Sequence, residues 1–339
     1  MTSSTQSPTE KGPKQKGSRT ASPRPRTKRT PSIVVGDELR PQAPDAEEPE
    51  SPKKAAKGKS KSKSRAKSKD GSKKRKFTAK GADKHELYQL AVQSPDVDAE
   101  FLAKTYKRIR GKQARHLRED FCGTGYLMAE WLRRHPDNTA EGFDIDPGTV
   151  AWGLERNFGG IDDAAERAVI HVKDVREPGH TKPDLRTAPN FSWMILTQRE
   201  DLLSYFKGAC EGLADDGLYV IDIYGGSEAY EEMEEVRKID AGFTYVWDQV
   251  AYWPATGDYH CKIHFKFKDG TELKSAFDYR WRLWGLPEVI DLLKEAGFSK
   301  VESYWEGTDE DGESGNGVYR KSKKGENCPA WVTYVVAQK

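Results

Sequence analysis

Two glycines and one carboxylate have the types and spacing to hold a nucleotide-like ligand. Gly123 and Gly125 precede a helix-like segment, so a ligand can approach bare backbone at the positive end of a helix. Asp144 lies about 20 residues further on, at the end of an apolar stretch, where an acid can accept hydrogen bonds from a ribose diol. The spacing therefore predicts an adenosine-binding strand-helix-strand unit.

The residues after these glycines narrow the choice of ligand. A dinucleotide fingerprint would need a third glycine where Met128 stands, and a phosphate-binding P-loop would need Lys-Ser or Lys-Thr. Neither pattern is present in the sequence. S-adenosylmethionine fits best, because its adenosine can meet the acid while its amino-acid end meets the glycine turn. Asp174, at the end of a third apolar segment, supports this interpretation.

These motifs resemble those of class I S-adenosylmethionine-dependent methyltransferases over about residues 84–339. The family's first motif, acid-x-Gly-x-Gly-x-Gly, is similar to residues 119–125, where Phe121 replaces the first glycine. The resemblance implies that either Glu119 or Asp120 contacts the methionine end of the cofactor.

The resemblance also assigns roles at the ends of later strands. Asp144 would bind the ribose hydroxyls, and Asp174 with the Val175 backbone would read the adenine edge. The implied cofactor-binding residues are Glu119, Asp120, Phe121, Cys122, Gly123, Thr124, Gly125, Asp144, Ile145, Asp174, Val175 and Asn190.

The elements that position these residues alternate between strands and helices. Two amphipathic helices are predicted between residues 85 and 110. Strands are predicted at 115–120, 140–145, 168–173, 190–196 and 218–224, with helices at 126–134, 148–157 and 200–213. Such alternation predicts an α/β fold with a doubly wound, mainly parallel sheet that binds ligands at the carboxyl ends of its strands. The resemblance implies seven strands in a Rossmann-like methyltransferase fold.

After residue 224 the pattern changes to an antiparallel insert at about 243–283. A helix is predicted at 227–239, and extended runs at 243–253, 258–267 and 273–283 are separated by turn residues. A helix at 287–296, a strand at 298–305, a glycine-rich loop at 307–325 and a strand at 331–337 complete the domain. The aromatic residues of the insert suit a cover over a small acceptor.

Methyl transfer from a sulfonium is an in-line displacement, so the protein must mainly align two reactants and exclude water. A base is needed only where the acceptor must lose a proton. The candidates for contact with the acceptor are Asn190, Tyr224, His260, Tyr279, Arg280 and Arg282. The two arginines would share one strand face, which suits a carboxylate or phosphate or, alternatively, ion pairs with acids of the domain.

Metal binding is considered because two histidines and a cysteine are close in sequence. On a strand, His260 and His264 would lie about 13 Å apart at roughly 3.3 Å per residue, and Cys261 would face the other way. One ion cannot bridge them, so the sequence predicts no metal site.

Residues 1–83 differ from the remainder in composition. They carry 23 Lys and Arg against 9 Asp and Glu, with one short apolar patch at residues 33–35, so disorder is expected. Within them, residues 53–80 hold 14 basic side chains and one acid. This run is expected either to bind nucleic acid in a salt-dependent way or to act as a solubilising extension.

The sequence shows neither a signal peptide nor a membrane-spanning segment, and its four cysteines are widely separated. A cytoplasmic protein without membrane contact is expected, or a nuclear one if the source has a nucleus, through the basic residues 73–76.

Three functions remain open. A methyltransferase acting on a small molecule is favoured. The alternatives are an RNA or protein methyltransferase recruited by the basic tail, and a non-catalytic S-adenosylmethionine-binding module or an aminopropyl transferase. Residues 190–193 read Asn-Phe-Ser-Trp, which departs from the Asn/Asp-Pro-Pro-aromatic motif of enzymes that methylate base amino groups.

Overall fold

A computed structural model describes residues 32–35, 77–308 and 315–339. Residues 53–76, which hold most of the basic run, lie outside these ranges. The strands are β1 (Ser32–Val35), β2 (His116–Asp120), β3 (Thr139–Asp144), β4 (Ala168–Val172), β5 (Leu185–Ala188), β6 (Leu218–Gly225), β7 (Met233–Ile239), β8 (Phe243–Trp253), β9 (Asp258–Phe267), β10 (Glu272–Arg282), β11 (Lys300–Thr308), β12 (Gly315–Lys321) and β13 (Trp331–Gln338). The helices are α1 (Lys84–Val92), α2 (Pro95–Arg110), α3 (Tyr126–Arg134), α4 (Pro147–Arg156), α5 (Ala164–Arg167), α6 (Arg199–Gly212) and α7 (Leu286–Glu295).

Within the described residues, the larger sheet has nine strands in the order β1-β4-β3-β2-β5-β6-β13-β11-β12. The first six are parallel, and β13, β11 and β12 continue the sheet antiparallel. The predicted doubly wound, mainly parallel α/β sheet is confirmed. Because all the parallel strands point the same way, the acids that end β3 and β4 meet at one edge of the sheet.

Two strands extend this sheet beyond the predicted seven. The backbone of residues 32–35 pairs with β4, so the apolar patch assigned to the tail is an edge strand. An edge strand exposes unpaired backbone groups that a short extended segment can occupy. At the other edge β12 pairs with β11, so part of the predicted loop at 307–325 is a strand.

Hydrophobic clusters cover both faces of the large sheet. Helix α3 buries Leu127, Met128 and Trp131, in keeping with its apolar periodicity, and contributes to one cluster. Helices α6 and α7 contribute to the other. The folded region also begins earlier than residue 84, because Phe77 is buried with its ring 5.4 Å from that of Phe243.

The second sheet is antiparallel, in the order β10-β9-β8-β7. The helix predicted at 227–239 is wrong: a short 3₁₀ helix at 227–230 is followed by β7, which pairs along its length with β8. The glutamates of this segment favour a helix locally, but backbone pairing to the edge of β8 outweighs that preference. The insert therefore starts at residue 233 and has four strands.

The strand predicted at 190–196 is also wrong. The fourth strand of the parallel sheet is β5, which ends at Ala188. Asn190 and Phe191 then take left-handed backbone conformations, with φ of 59° and 58°, and a 3₁₀ helix is formed at 192–195. Two successive left-handed residues cannot continue a strand. This turn brings the Asn190 and Phe191 backbone to the carboxyl edge of the sheet.

Among the described residues, no helix combines the length and apolar character needed to cross a membrane.

Candidate functional site

The turn after β2 is built from three left-handed residues. Phe121, Gly123 and Gly125 have φ of 55°, 52° and 63°. Phe121, which replaces the first glycine of the motif, therefore adopts a backbone conformation that glycine takes most easily. The turn is kept, but the backbone of Phe121 is strained. The Cys122 N–H donates to the Phe143 carbonyl at 2.9 Å, which fixes the turn against β3.

Asp144 links the end of β3 to this turn. Its Oδ2 accepts the Gly123 N–H at 2.7 Å, and its Oδ1 accepts the Asp146 N–H at 2.9 Å. A carboxylate offers about four acceptor positions, so two remain for the hydroxyls of a ligand. Burial raises the pKa of Asp144, and these N–H bonds oppose that rise. Beside it, Ile145 is 61% exposed and presents an apolar surface.

Only one of the two adjacent acids at 119 and 120 adjoins the helix after the turn. Glu119 is buried under α3 and accepts the Met128 N–H at 3.1 Å. Burial raises its pKa well above the usual value. Glu119 therefore lies at the helix N-terminus, where the resemblance places the acid of the first motif.

Asp120 belongs to a buried hydrogen-bond network. It is fully buried, and its oxygens accept bonds from Arg118 at 2.7 Å, Arg186 at 2.6 Å and Tyr205 at 2.7 Å. Because two arginines match its charge and both of its oxygens accept hydrogen bonds within the protein, Asp120 has a structural role here.

Cys122 and Thr124 are buried within the turn. The Thr124 hydroxyl accepts a bond from Gln89 of α1 at 2.9 Å. The Asp83 carboxylate, which caps α1, accepts a bond from the Trp152 indole at 2.6 Å. These bonds fix α1 across the glycine turn and against α4.

Asp174 lies at the end of β4, next to the end of β3, where the Lys173 N–H donates to the Asp144 carbonyl at 3.0 Å. Arg176 donates to both Asp174 oxygens, at 3.0 and 2.8 Å, and lowers the pKa of that carboxyl. The Val175 carbonyl accepts bonds from two buried arginines. Asp174 is half-exposed and ionised, so it can share its oxygens with an adenine amino group.

Asp222 is a further candidate site residue, which the sequence motifs do not single out. It lies in β6 and accepts the backbone N–H groups of Asn190 at 2.7 Å and Phe191 at 2.9 Å. Burial raises the pKa of Asp222 to about 7, against the effect of these bonds. The sequence signal for Asp222 is a single acid inside the apolar run 218–224. Burying a charged group costs free energy, so an acid in such a run indicates a specific role.

Helix α1 lies near this acid and also contacts the four-stranded sheet. Burial and then the charge of Asp222 raise the pKa of Tyr88 in α1. The Tyr88 ring lies 5.0 Å from Phe277 of β10. Tyr88 is therefore close enough to feel the charge of Asp222 while its ring packs on the four-stranded sheet.

The four-stranded sheet turns an aromatic face to this region. Trp247 lies 6.1 Å from both Tyr279 and Trp281, whose rings stack at 4.5 Å. From the large sheet, the Tyr224 ring packs 4.7 Å from Phe191. The structure thus brings together three of the predicted acceptor-contacting residues, Asn190, Tyr224 and Tyr279.

The other three candidates, His260, Arg280 and Arg282, lie on the face of the four-stranded sheet opposite to Tyr279. His260 pairs with Asp278 at 3.0 Å. Arg280 lies 3.7 Å from the same acid with its side chain 67% exposed, and Arg282 binds Glu288 at 3.0 Å. The arginines therefore form ion pairs within the domain instead of a clamp beside Asp222.

Several solved structures share this fold, and two of those that follow are described as methyltransferases. A S-adenosylmethionine-dependent methyltransferase from Clostridium acetobutylicum aligns with a TM-score of 0.53 and 15% identity, over 75% of this chain and 96% of that one. CalS10, an amino pentose methyltransferase from Micromonospora echinaspora, aligns at 0.53 and 17%, over 75% and 95%. DesVI from Streptomyces venezuelae aligns at 0.54 and 17%, over 76% and 98%.

These likenesses establish the Rossmann-like methyltransferase fold. No protein-family model matches the chain, and no curated protein matches it in sequence.

Proposed function

We propose that this chain is a S-adenosylmethionine-dependent methyltransferase acting on a small molecule. The observation that carries the proposal is the 2.7 Å bond from the Gly123 N–H to Asp144, which places a carboxylate with spare acceptor positions at the glycine turn. The exposed Ile145 beside it supplies an apolar surface suited to a purine ring. These residues fit adenosine better than a phosphate, because the half-buried carboxylate would repel an anion.

Different residues at the carboxyl edge of the large sheet would contact different parts of the cofactor. Asp144 would hold the ribose hydroxyls, and Asp174 with the Val175 backbone would meet the adenine edge. The backbone of the glycine turn and Glu119 would hold the methionine end. When bound, S-adenosylmethionine supplies a methyl carbon on a sulfonium, which a lone pair of the acceptor displaces in line.

Asp222 is proposed as the base for the acceptor. It must take a proton from an N–H or O–H group as the acceptor's lone pair forms the new bond to carbon. A carboxyl with a pKa of about 7 can accept that proton near neutral pH, because a good share of it is ionised there. The two backbone N–H groups that bind Asp222 hold it in place.

A small acceptor is favoured by the aromatic side chains near this acid. The charge of Asp222 acts on Tyr88 of α1, and the Tyr88 ring in turn lies 5.0 Å from Phe277 of the four-stranded sheet, which also carries the aromatic residues Trp247, Tyr279 and Trp281. Such a space suits a compact substrate and excludes water from the reaction.

All four cysteines are free, three of them buried, in keeping with the proposed cytoplasmic location.

The experiment is transfer of a labelled methyl group from S-adenosylmethionine to fractionated metabolites, RNA and protein. The proposal expects label in a low-molecular-weight metabolite with the wild type and a strong loss with Asp222→Asn. Label in RNA or protein would favour the alternative acceptors. Comparing the full chain with a variant whose lysines and arginines at 53–76 are replaced by glutamine, at low and high salt, would then show whether the basic run recruits them without removing β1.

A further inference from the structure

Three side chains of types that can bind a metal ion cluster on β3, β4 and the loop after β4. Glu141 of β3, His171 of β4 and His180 of the loop after β4 place one ligand atom each within 4.8 Å of one another. Glu141 and His171 are almost fully buried, whereas His180 is exposed. Neighbouring parallel strands therefore fix two of the ligands, and the connection to β5 brings the third.

The distances within the cluster suit a single ion. His171 Nε2 lies 2.8 Å from Glu141 Oε1, and His180 Nδ1 lies 3.8 Å from the same oxygen. Ligand atoms that bind one tetrahedral zinc ion at about 2.0–2.1 Å stand roughly 3.3 Å apart. The two observed distances lie on either side of that value, so small side-chain rotations would complete the geometry.

The two oxygens of Glu141 differ, because Oε1 is the one bonded to His171 and to the His180 N–H, whereas Oε2 faces the loop at Gly179. Its Oε2 is buried and has no hydrogen bond among the described residues. A Cβ on Gly179 would stand 2.3 Å from this oxygen, so only glycine permits the loop to approach the carboxylate. Arg118 lies on the same sheet face, but its hydrogen bonds go to Asp120 and to the carbonyls of residues 175 and 177.

We propose that Glu141, His171 and His180 bind a divalent transition metal of the zinc class. Two imidazoles and one carboxylate are a preferred ligand set for zinc, and the exposed side of His180 leaves a fourth position for water. The ion joins β3 and β4 to the loop 173–184, so its role is to hold that loop on the sheet. The same loop begins with Asp174.

The test uses the full chain without a purification tag, after treatment with a chelator. Calorimetry with Zn²⁺ and visible ligand-field absorption with Co²⁺ are expected to show one bound ion per chain and a raised melting temperature. His180→Ala should weaken Zn²⁺ binding by at least about 10-fold, since even outer-shell changes cost that much. Because His180 is exposed, this substitution leaves the core intact.

His135→Ala is the matched control, because His135 is also exposed and lies outside the cluster. It should leave Zn²⁺ affinity unchanged. Glu141→Gln, which keeps the side-chain shape, should also lower Zn²⁺ affinity. Absence of a stoichiometric site in the wild type, or equal affinity in the His180 and His135 variants, would overturn the proposal.

Discussion

The two sheets meet at the proposed active site, but they supply different kinds of surface. The carboxyl edge of the large sheet offers backbone N–H groups and acids held by them, such as Asp144 and Asp222. The four-stranded sheet offers stacked aromatic rings, such as Tyr279 on Trp281. Directional polar groups select a particular ligand, whereas an aromatic face selects by shape and apolar area. The proposed site therefore restricts the choice of methyl donor more than the choice of acceptor.

The largest expected effect on activity is at the carboxyl edge of the large sheet, the polar edge of the site. Asp222→Asn removes the proposed base and keeps its shape, so kcat should fall by about 10²- to 10⁴-fold while S-adenosylmethionine affinity stays the same. Steady-state kinetics and calorimetry together measure this difference. An unchanged kcat would remove Asp222 from the chemistry.

The pH dependence of the activity also tests Asp222 as the base. The base must be ionised to accept a proton, and burial raises the pKa of Asp222 to about 7. Activity of the wild type should therefore rise as pH increases through about 7 and level off above it. The Asp222→Asn variant should lose this inflection; if it keeps the inflection, another group is titrating.

The next effect concerns the residues that support the polar edge. Asp120→Ala would leave Arg118 and Arg186 buried without their carboxylate. The free energy of unfolding should fall by about 3–5 kcal/mol in denaturant titrations. Asp137→Ala, at an exposed acid, is the control and should change it by less than about 0.5 kcal/mol. Equal stability of the two variants would show that the buried ion cluster does not hold this edge.

A smaller effect separates the two faces of the four-stranded sheet. Tyr279→Ala removes an aromatic surface on the inner face and should raise the acceptor KM by about 10-fold, equivalent to roughly 1.4 kcal/mol. Arg280→Ala alters the neighbouring residue on the outer face and should change KM less than about twofold. If the Arg280 variant is the more affected, the acceptor binds the outer face instead.

The amino-acid sequence predicted the polar edge better than the aromatic face. In a parallel sheet the strand ends coincide, so Gly123, Asp144 and Asp174 could be assigned to one edge from their order alone. In the antiparallel sheet, Tyr279 and Arg280 are adjacent in sequence but face opposite ways. Which face meets the large sheet depends on packing between distant segments, and no local pattern encodes it.

The errors at the edge itself have local causes. Asp120 matches the first motif as well as Glu119 does, and only the burial of Arg118 and Arg186 beside it shows its structural role. The sequence does not reveal the role of Asp222, because that role depends on the turn at Asn190. The residue pattern predicts a strand at 190–196 instead of this turn.

The central claim is that Asp144 at the glycine turn binds S-adenosylmethionine, and calorimetry on three proteins tests it most directly. The wild type should bind, Asp144→Ala should bind about 10- to 100-fold more weakly for the loss of charged hydrogen bonds worth roughly 1.5–3 kcal/mol, and Asp137→Ala should match the wild type. No affinity in the wild type, or unchanged affinity in Asp144→Ala, would contradict the claim.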